Sequence, residues 1–364
     1  MELTAEQLDL RDAVRGLLAR HQPGSPGPGT TGYDPSLWRR LGEIGVPGLA
    51  IPERYGGAGA GPVETHIATE ELGRDLIPSP LLGSAVLAAQ ALLASGDDAA
   101  CLRLLPAIAG GSVAALAWTT AAGHWDPAEV ACRATPAPRD WSLNGKACYV
   151  LDGDTAGILL VAARTPDGTG LFEVDPAQLA VSRSAVTTMD ASRRMATLRL
   201  DGATGLRIGG QAPEALARAR DLACIALGAE QVGAARRALD MTVGYAKVRV
   251  QFGRAIGGFQ ALQHRMADLH VLVESARSLS YAAAQAAAEG APDTARRAAA
   301  AKVYCSEVLE RVAAETIQLH GAIGITWEHN AHRYLKRAHG AAQLFGRPSE
   351  HVTRIAAEVI DHRS

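Results

Sequence analysis

Apolar residues follow different spacings in different parts of the chain. In residues 1–112 they recur at helical spacing between breaks rich in glycine and proline, which predicts helices joined by loops. Asp34-Pro35 is placed to begin one of these helices, because Asp caps a first turn and Pro fits the first helical position. The run Gly24–Gly32 must be a loop, since its Gly, Pro and Thr residues favour turns.

Residues 113–205 change to short apolar runs that are typical of β-strands. These runs lie at residues 113–118, 146–151, 157–162 and 196–200. Asp-Gly turn signals lie between or after them, so this zone predicts a small β domain. From residue 206 the pattern is helical again, and residues 216–247 predict one long, alanine-rich helix buried on most faces. The predicted domains are therefore 1–112, 113–205 and 206–364.

Composition and charge narrow the class of function. The formal net charge is -2, from 36 basic and 38 acidic side chains, and only 4% of residues are aromatic. We therefore expect no nucleic-acid partner and no attraction to an acidic membrane surface. Apolar runs are interrupted before the roughly 18 residues that a membrane span needs, and the polar N-terminus is unlike a signal peptide. The expected compartment is the cytoplasm.

Cysteines and histidines give no sign of a metal site or a disulfide framework. The five cysteines are scattered and include no Cys-x-x-Cys pair, so buried free thiols are expected. His329 and His332 are three residues apart, but we expect no metal ion there.

The segment between two predicted C-terminal helices carries the first candidate binding motif. It reads Arg249-Val-Gln251-Phe252-Gly253, and Gln260 follows before the next helix. Arg249 can offer a fork of donors to phosphate oxygens, and the two glutamines can offer amides to a pyrophosphate or an adenine. Gly253 fits the left-handed cap of the preceding helix. An ordinary loop with surface Arg and Gln residues is the alternative.

A second candidate motif closes a later helix and reads Gln318-Leu-His-Gly321-Ala-Ile-Gly324. Two glycines three residues apart permit a ligand to approach the backbone closely, and a plain helix end is the alternative. Neither motif is a P-loop or a Rossmann fingerprint, because no Gly-rich turn follows a strand and opens a helix.

Together with residues elsewhere in the chain, these two motifs resemble the acyl-CoA dehydrogenase family. The further matching segments are Pro52-Glu-Arg-Tyr-Gly-Gly57, Glu70-Glu-Leu-Gly-Arg74, Met189-Asp-Ala-Ser-Arg193 and Leu344-Phe-Gly346. The segment from Gly324 to Arg337 is similar to a subgroup common in actinobacteria, some members of which are heterotetramers. The resemblance implies a mostly α fold with a central β domain: an N-terminal helical domain, a β-barrel-like domain and a C-terminal helical bundle.

The resemblance also implies FAD bound across a subunit interface. Arg249, Gln251 and Phe252 would meet the pyrophosphate and adenosine of one FAD, and Gln260 would belong to the same lining. The adenine-ribose end of the FAD held by a neighbouring subunit would be approached by Gln318, Gly321 and Gly324. A dimer at least is therefore expected, and similar proteins are usually tetramers.

Two segments that would face the flavin ring depart from the family. The family's flavin-side loop usually reads Thr-Glu-Pro-Gly-Ala-Gly-Ser-Asp, whereas residues 119–126 read Thr-Thr-Ala-Ala-Gly-His-Trp-Asp. Trp125 stands where a small serine would line the substrate channel. Leu151, before Asp152, replaces a threonine that contacts the flavin in similar proteins, and it cannot donate a hydrogen bond to the flavin N5.

The family's catalytic base is missing as well. Similar enzymes use a glutamate to remove the α-proton while the β-hydrogen leaves as hydride to the flavin. The two family positions for that glutamate align with Phe345 and Ala223, which cannot accept a proton. Glu230 lies two helical turns beyond Ala223, about 10 Å along the helix axis, and is the candidate displaced base. A structural or exposed helix residue is the alternative for Glu230.

The sequence favours FAD-dependent α,β-dehydrogenation of an acyl thioester. Acyl-CoA is the expected substrate, with a fatty or a steroid side chain, and an acyl group on a carrier protein is an open alternative. The main rival is a catalytically silent subunit of a heteromeric dehydrogenase, which would complete a partner's FAD site. Flavin-dependent oxidation or oxygenation of a non-thioester is a third possibility. Homo- versus hetero-tetramer and the electron-transfer partner stay open.

Overall fold

The first part of the chain is helical in the computed structural model, which describes residues 2–21, 32–138 and 140–361. The helices are α1 Ala5–Ala19, α2 Pro35–Glu43, α3 Pro62–Arg74, α4 Ala89–Ala94 and α5 Asp98–Ala109. A π-helical segment, Leu82–Ala88, leads directly into α4. Asp34 begins α2 as predicted, since its Oδ1 accepts from the backbone N–H of Ser36 at 2.7 Å. The predicted loop at 24–32 lies outside the described residues except for Gly32.

The middle part folds into a small β-barrel. Its strands are β1 Ala114–Ala117, β2 Cys132–Pro136, β3 Trp141–Leu151, β4 Ile158–Thr165, β5 Gly168–Val174, β6 Val181–Ala185 and β7 Met195–Ile208. The hydrogen-bonded order is β1-β4-β2-β3-β7-β5, and β4 also pairs with β5, so five strands close on themselves. β1 extends the barrel beside β4, and β6 pairs with β7. The four predicted runs correspond to β1, β3, β4 and β7.

The barrel is filled by apolar side chains from most of its strands. Leu143, Leu159, Phe172 and Leu198 are among its fully enclosed members. The smaller strand residues, alanines and Cys132, let the opposite walls approach. All five cysteines of the chain are buried and free, as the sequence predicted.

The last part is helical, apart from one short hairpin. Its elements are α6 Ala212–Val248, β8 Val250–Gln251, β9 Arg254–Ala255, α7 Gln260–Ala288, α8 Thr294–His320, α9 Ala331–Gln343 and α10 Pro348–Asp361. α6 contains the whole of the predicted long helix and is buried over most of its length. None of the described helices is long and apolar enough to cross a membrane. The predicted order of helices, β domain and helices is confirmed.

The chain forms two compact units. The helical unit contains residues 1–15, 66–77 and 224–364, and the mixed unit contains residues 16–65 and 78–223. The division into domains at residues 112 and 205 stays a prediction.

Inside the helical unit, α3 crosses α6 at two glycines. A Cβ on Gly73 would lie 2.2 Å from the backbone oxygen of Glu230, and a Cβ on Gly233 would lie 2.0 Å from that of Glu70. Glycine is required at both positions because the two helix backbones touch.

Candidate functional site

A tight hairpin carries the first motif. β8 and β9 pair Val250 with Ala255 and Gln251 with Arg254, so Phe252 and Gly253 alone form the turn. Both turn residues have positive φ, 54° and 78°, as a two-residue hairpin of this kind requires. Gly253 therefore supplies a hairpin turn. The prediction that Gly253 caps a helix is wrong, because α6 already ends at Val248.

The side chains of this hairpin point outward. Phe252 is 91% exposed, and Arg249, Gln251 and Gln260 are exposed too. The backbone of Arg249 is held on both sides: its N–H donates to Tyr245 at 2.9 Å, and its carbonyl accepts from Ile256 at 2.8 Å. Within the described residues, its guanidinium has no hydrogen-bond or ion-pair partner. The fixed backbone therefore presents the guanidinium of Arg249 and the ring of Phe252 to solvent. Exposed groups of this kind are typical of a binding surface.

The second motif forms the C-terminal end of α8. Gly321 adopts φ 63° and ψ -144°, a conformation that needs glycine, and it turns the chain out of the helix. Gly324 is buried, and a Cβ there would lie 3.0 Å from the backbone oxygen of Ile317. Gln318 is exposed. The motif thus offers an amide side chain and bare backbone at one helix end.

A stack of three rings brings the two motifs together. His320, inside the second motif, stacks on Tyr245 with ring centroids 4.4 Å apart, and Tyr245 is the residue whose carbonyl holds Arg249. The ring of His329 lies 4.3 Å from that of His320, centroid to centroid, and is tilted to it by 40°. The Nδ1 of His320 donates to the carbonyl of Thr316 at 2.7 Å. The sequence did not identify this stack, although His320 and Tyr245 both lie within four residues of a predicted site residue.

Exposed apolar side chains extend the area around both motifs. They are Val248, Val250, Ile325 and Trp327. Trp327 is 69% exposed; the Nζ of Lys336 lies 4.6 Å from its ring centroid, and the ring of His332 meets it edge-on with centroids 4.9 Å apart. We call this area, together with the seven predicted cofactor residues, the motif surface. It lies entirely in the helical unit.

The segments that would face a flavin ring lie in the mixed unit, where Trp125 and Leu151 are buried but His124 and Tyr149 are exposed. Trp125 is 5% exposed, and its ring meets Trp118 edge-on with centroids 5.4 Å apart. The hydroxyl of Thr119 donates to the carbonyl of Cys148, and the N–H of Cys148 donates back to Thr119 at 2.9 Å. Leu151 is buried. We call residues 118–126 and 148–152 the flavin-side segment.

Asp152, at the end of this segment, is a buried acid that the sequence did not single out. Burial raises its pKa to about 7, the Arg193 guanidinium opposes the rise and Asp154 adds to it. Arg194 is committed to Asp154 through two short hydrogen bonds, at 2.6 and 2.8 Å. Near neutral pH the carboxyl of Asp152 is therefore only partly ionised. Its burial depends on residues far apart in the sequence, which is why no local pattern signalled it.

The two positions aligned with the family's base are apolar and fully enclosed. Phe345 and Ala223 are each 0% exposed. Phe345 has a φ of 59°, and its carbonyl accepts a hydrogen bond from the Nε2 of His351 at 2.9 Å. The Sγ of Cys224 lies 3.9 Å from the same carbonyl. No carboxylate is present at either position.

Glu230, the candidate displaced base, has a partner. Its Oε1 accepts from the Nη1 of Arg337 at 2.7 Å, and both side chains are nearly enclosed. This ion pair supplies Arg337 with a counter-charge, which a buried guanidinium needs. A structural role accounts for Glu230 as it stands, and its use as a base stays a prediction.

Comparison with known proteins agrees with this architecture. The family model "Acyl-CoA dehydrogenase, N-terminal domain" matches residues 4–112, and the model "Acyl-CoA dehydrogenase, C-terminal domain" matches residues 213–360. Acyl-CoA dehydrogenase IpdE2 of Mycobacterium tuberculosis is 40% identical over 363 residues, with 97% of each chain covered.

Two solved structures are similar over nearly their whole length. A variant of the Tcur3481-Tcur3483 steroid ACAD is 32% identical, with a TM-score of 0.87 and 98% of each chain covered. The ChsE4-ChsE5 complex from Mycobacterium tuberculosis is 28% identical, with a TM-score of 0.88, and 99% of this chain and 98% of that chain are covered. The resemblance inferred from the motifs is thereby confirmed: the chain belongs to the acyl-CoA dehydrogenase family of flavin-dependent oxidoreductases.

Proposed function

We propose that this chain serves the α,β-dehydrogenation of an acyl-CoA as the base-free subunit of a heteromeric, FAD-dependent dehydrogenase. In this assembly it completes the FAD site of a partner subunit that carries the base. The observation behind the proposal is a contrast within one chain. In the motif surface Arg249, Gln251, Gln260 and Gln318 are exposed, whereas Trp125 and Leu151 of the flavin-side segment and both base positions are apolar and buried.

The motif surface fits the pyrophosphate and adenosine half of FAD. The unpaired guanidinium of Arg249 suits a phosphate, because its planar fork can donate two parallel hydrogen bonds. The ring of Phe252 offers an apolar face to the adenosine. Gln251, Gln260 and Gln318 supply amides, and the exposed Gly321 leaves room for close approach, while Gly324 lets the turn pack on Ile317. These residues would hold the cofactor from outside, as a neighbour's contribution.

The flavin-side segment does not fit the other half of the cofactor. Trp125 and Leu151 are buried, and the aliphatic side chain of Leu151 has no group that could donate to a flavin nitrogen. The hydroxyl of Thr119 is already committed to a backbone carbonyl. A complete FAD site therefore needs another chain to supply the residues that contact the flavin ring. FAD supplies the hydride acceptor when it is bound there.

Proton removal also needs a group from the partner. A general base must reach the proton that it abstracts, and its pKa must suit the task. Phe345 and Ala223 offer no acceptor, and Glu230 is held by Arg337. The partner's glutamate would therefore act on the α-proton, while this chain would position the cofactor.

The relatives support a mixed assembly and indicate a substrate class. Both similar solved structures are named for two different proteins, and one is described as a steroid ACAD. We propose accordingly an acyl-CoA with a bulky, steroid-derived acyl group. An acyl group on a carrier protein has no support from the described residues.

Co-expression tests the proposal. This chain would be produced alone and together with a family member that carries the full flavin-side loop and the base glutamate. We expect the lone chain to retain little FAD and the pair to retain FAD and remain associated, with both lost together on dilution. Light scattering and flavin absorbance measure the two losses. A lone chain that keeps a full complement of FAD as a stable monomer would exclude the proposal.

A further inference from the structure

His329 lies beside the motif surface, in the segment between the second motif and α9. Trp327 is 69% exposed, and the two chain neighbours of His329, Glu328 and Asn330, are exposed as well. The imidazole itself is half-buried, and its ring packs against that of His320. The ring is therefore held by packing at the edge of an exposed segment.

One hydrogen bond determines which ring nitrogen of His329 carries the proton. The backbone N–H of Ala331, at the start of α9, donates to Nδ1 at 3.2 Å, so Nδ1 is the acceptor. Burial lowers the pKa of His329 below its ordinary value, so the ring is neutral at neutral pH. A neutral imidazole whose Nδ1 accepts must carry its proton on Nε2. Nε2 is therefore a hydrogen-bond donor.

This donor is available to a ligand. Within the described residues the Nε2 of His329 has no hydrogen-bond partner, and it is not one of the enclosed polar atoms. The Nε2 of His320, in contrast, is enclosed, and the Nδ1 of His320 donates to the carbonyl of Thr316. Of these two histidines, only His329 offers a hydrogen bond to a molecule that binds at the surface.

The ring stack fixes the place of this donor relative to both motifs. His320 belongs to the second motif, and its ring centroid lies 4.3 Å from that of His329 and 4.4 Å from that of Tyr245. The carbonyl of Tyr245 accepts from the N–H of Arg249 at 2.9 Å, so the stack reaches the first motif. The free N–H of His329 therefore lies close to where the two motifs meet.

We infer that His329 is a further cofactor-binding residue, whose Nε2–H donates to an acceptor atom in the adenosine of the FAD that the motif surface contacts. This inference rests on the proposed function. A neutral N–H suits a ribose oxygen or an adenine ring nitrogen, whereas the charged guanidinium of Arg249 suits the pyrophosphate. Because packing and the bond from Ala331 orient the ring beforehand, binding costs little further side-chain entropy.

A matched pair of substitutions separates the donor from the packing of the ring. In His329→Gln the side-chain amide can place an N–H near the position of Nε2, but it leaves the N–H of Ala331 without its acceptor. In His329→Asn the side-chain carbonyl can accept from Ala331 near the position of Nδ1, but nothing replaces the donor. Both variants lose the contact with the ring of His320 to the same extent.

Calorimetric titration of the FAD-free, two-subunit complex with FAD measures the effect. We expect affinity to fall roughly fivefold to tenfold in His329→Asn and only about twofold in His329→Gln. Stability should follow the opposite order, since only the Asn variant keeps the bond from Ala331, and urea unfolding measures it. His339→Asn is the control: His339 lies further along α9 and pairs with Glu310 at the surface, so FAD affinity should change less than about twofold.

Equal FAD affinity in the two His329 variants, or a greater loss in the Gln variant, would show that His329 only packs. Arg249→Ala in the same complex distinguishes this failure from that of the proposed function. If Arg249→Ala weakens FAD binding while the His329 pair does not differ, only the role of His329 is wrong. If Arg249→Ala changes nothing, the motif surface does not hold FAD and both proposals fail.

NMR of the ring nitrogens in the wild-type chain tests the donor without any substitution. We expect the proton of His329 on Nε2 at neutral pH. A proton on Nδ1 would leave no donor toward the surface and would contradict the assignment of His329 as a ligand of FAD.

Discussion

The motif surface would serve a neighbour's FAD, whereas the flavin-side segment would face a flavin of this chain's own, and the two differ in the side chains that they present. The motif surface keeps an unpaired arginine, exposed amides and bare glycines. The flavin-side segment is filled by Trp125 and Leu151 and tied by hydrogen bonds within itself. The family's polar contacts thus persist where the chain would serve a neighbour, and they are absent where it would serve itself.

Packing gives a physical reason for the difference. Exposed donors bind water when no cofactor is present, so keeping them costs the lone chain little. A wall of small residues without a flavin would leave a void, and voids are destabilising in proportion to their volume. Large buried side chains such as Trp125 leave no such void around themselves, and their burial stabilises the fold. We therefore expect a subunit that no longer holds the flavin ring to lose the family's residues in the flavin-side segment first. It should keep those of the motif surface for longer.

The largest expected effect is on the rate of flavin reduction, compared between the lone chain and the two-subunit complex. The lone chain, supplied with excess FAD and a saturated acyl-CoA, should reduce the flavin about 10²–10⁴-fold more slowly than the two-subunit complex, because it lacks a base. Anaerobic stopped-flow bleaching of the flavin measures both rates. If the lone chain reduces FAD as fast as the complex, a displaced base exists, and Glu230→Gln is the first variant to examine.

Glu230→Ala separates a structural acid from a catalytic one. The change leaves the buried guanidinium of Arg337 without its carboxylate and should cost about 3–5 kcal/mol of unfolding free energy. Turnover per bound FAD in the complex should change less than about twofold, since no proton transfer to Glu230 is lost. Urea unfolding and steady-state kinetics give the two numbers.

Glu310→Ala is the control for that experiment. Glu310 pairs with His339 at the surface, where both side chains are about half exposed, and its loss should cost less than about 1 kcal/mol. A large fall in turnover for Glu230→Ala, with stability unchanged, would make Glu230 the base.

Asp152 gives the flavin-side segment a pH dependence. Its pKa is raised from 3.8 to about 7, so the folded state binds more protons than the unfolded state between these values. The contribution of Asp152 to the free energy of unfolding therefore falls as the pH rises from about 4 to about 7. Above about pH 7 it no longer changes. Arg193, Arg194, Asp154 and Tyr33 are the charged or titratable groups around it.

Asp152→Asn should remove this loss. The variant should be more stable than the wild type at about pH 8 by up to about 4 kcal/mol, and the gap should shrink toward about pH 4. Urea unfolding at both pH values measures it. A gap that does not change with pH would mean that folding does not raise the pKa of this carboxyl, and that its surroundings are more polar than its burial indicates.

The smallest expected effect is that of Arg249→Ala, which tests whether the motif surface contributes to FAD affinity. A charge-assisted contact to phosphate is worth about 1.5–3 kcal/mol, so FAD affinity of the complex should fall roughly tenfold or more. Lys247→Ala, two residues earlier and also exposed, should change the affinity less than about twofold. Unchanged FAD content in the Arg249 variant would remove the motif from the cofactor site.

Sequence patterns predicted the elements that local residues determine. The long helix at 216–247 became α6, and the four apolar runs became strands. β6 was missed because most of its residues are exposed and give no apolar run. Gly253 was placed in the wrong element, since a hairpin with two-residue strands leaves no periodic signal around its turn.

The site was predictable only where a motif is contiguous. Arg249, Gln251 and Phe252 could be found together, but their neighbour His320 comes close only through packing between the ends of α6 and α8. The same holds for Glu230 on α6 and Arg337 on α9, which pair although they are 107 residues apart in the sequence. Partners that come together only through tertiary packing, such as the groups that bury Asp152, leave no local sequence pattern from which they could be predicted.

The ratio of FAD to protein in the purified complex tests the central claim most directly. If this chain supplies outward contacts but no flavin-side wall, each pair of unlike subunits has one complete site and one incomplete site. Native mass spectrometry, together with flavin absorbance, should then find one FAD for every two chains. One FAD for every chain would show that this subunit holds a flavin of its own and would contradict the account.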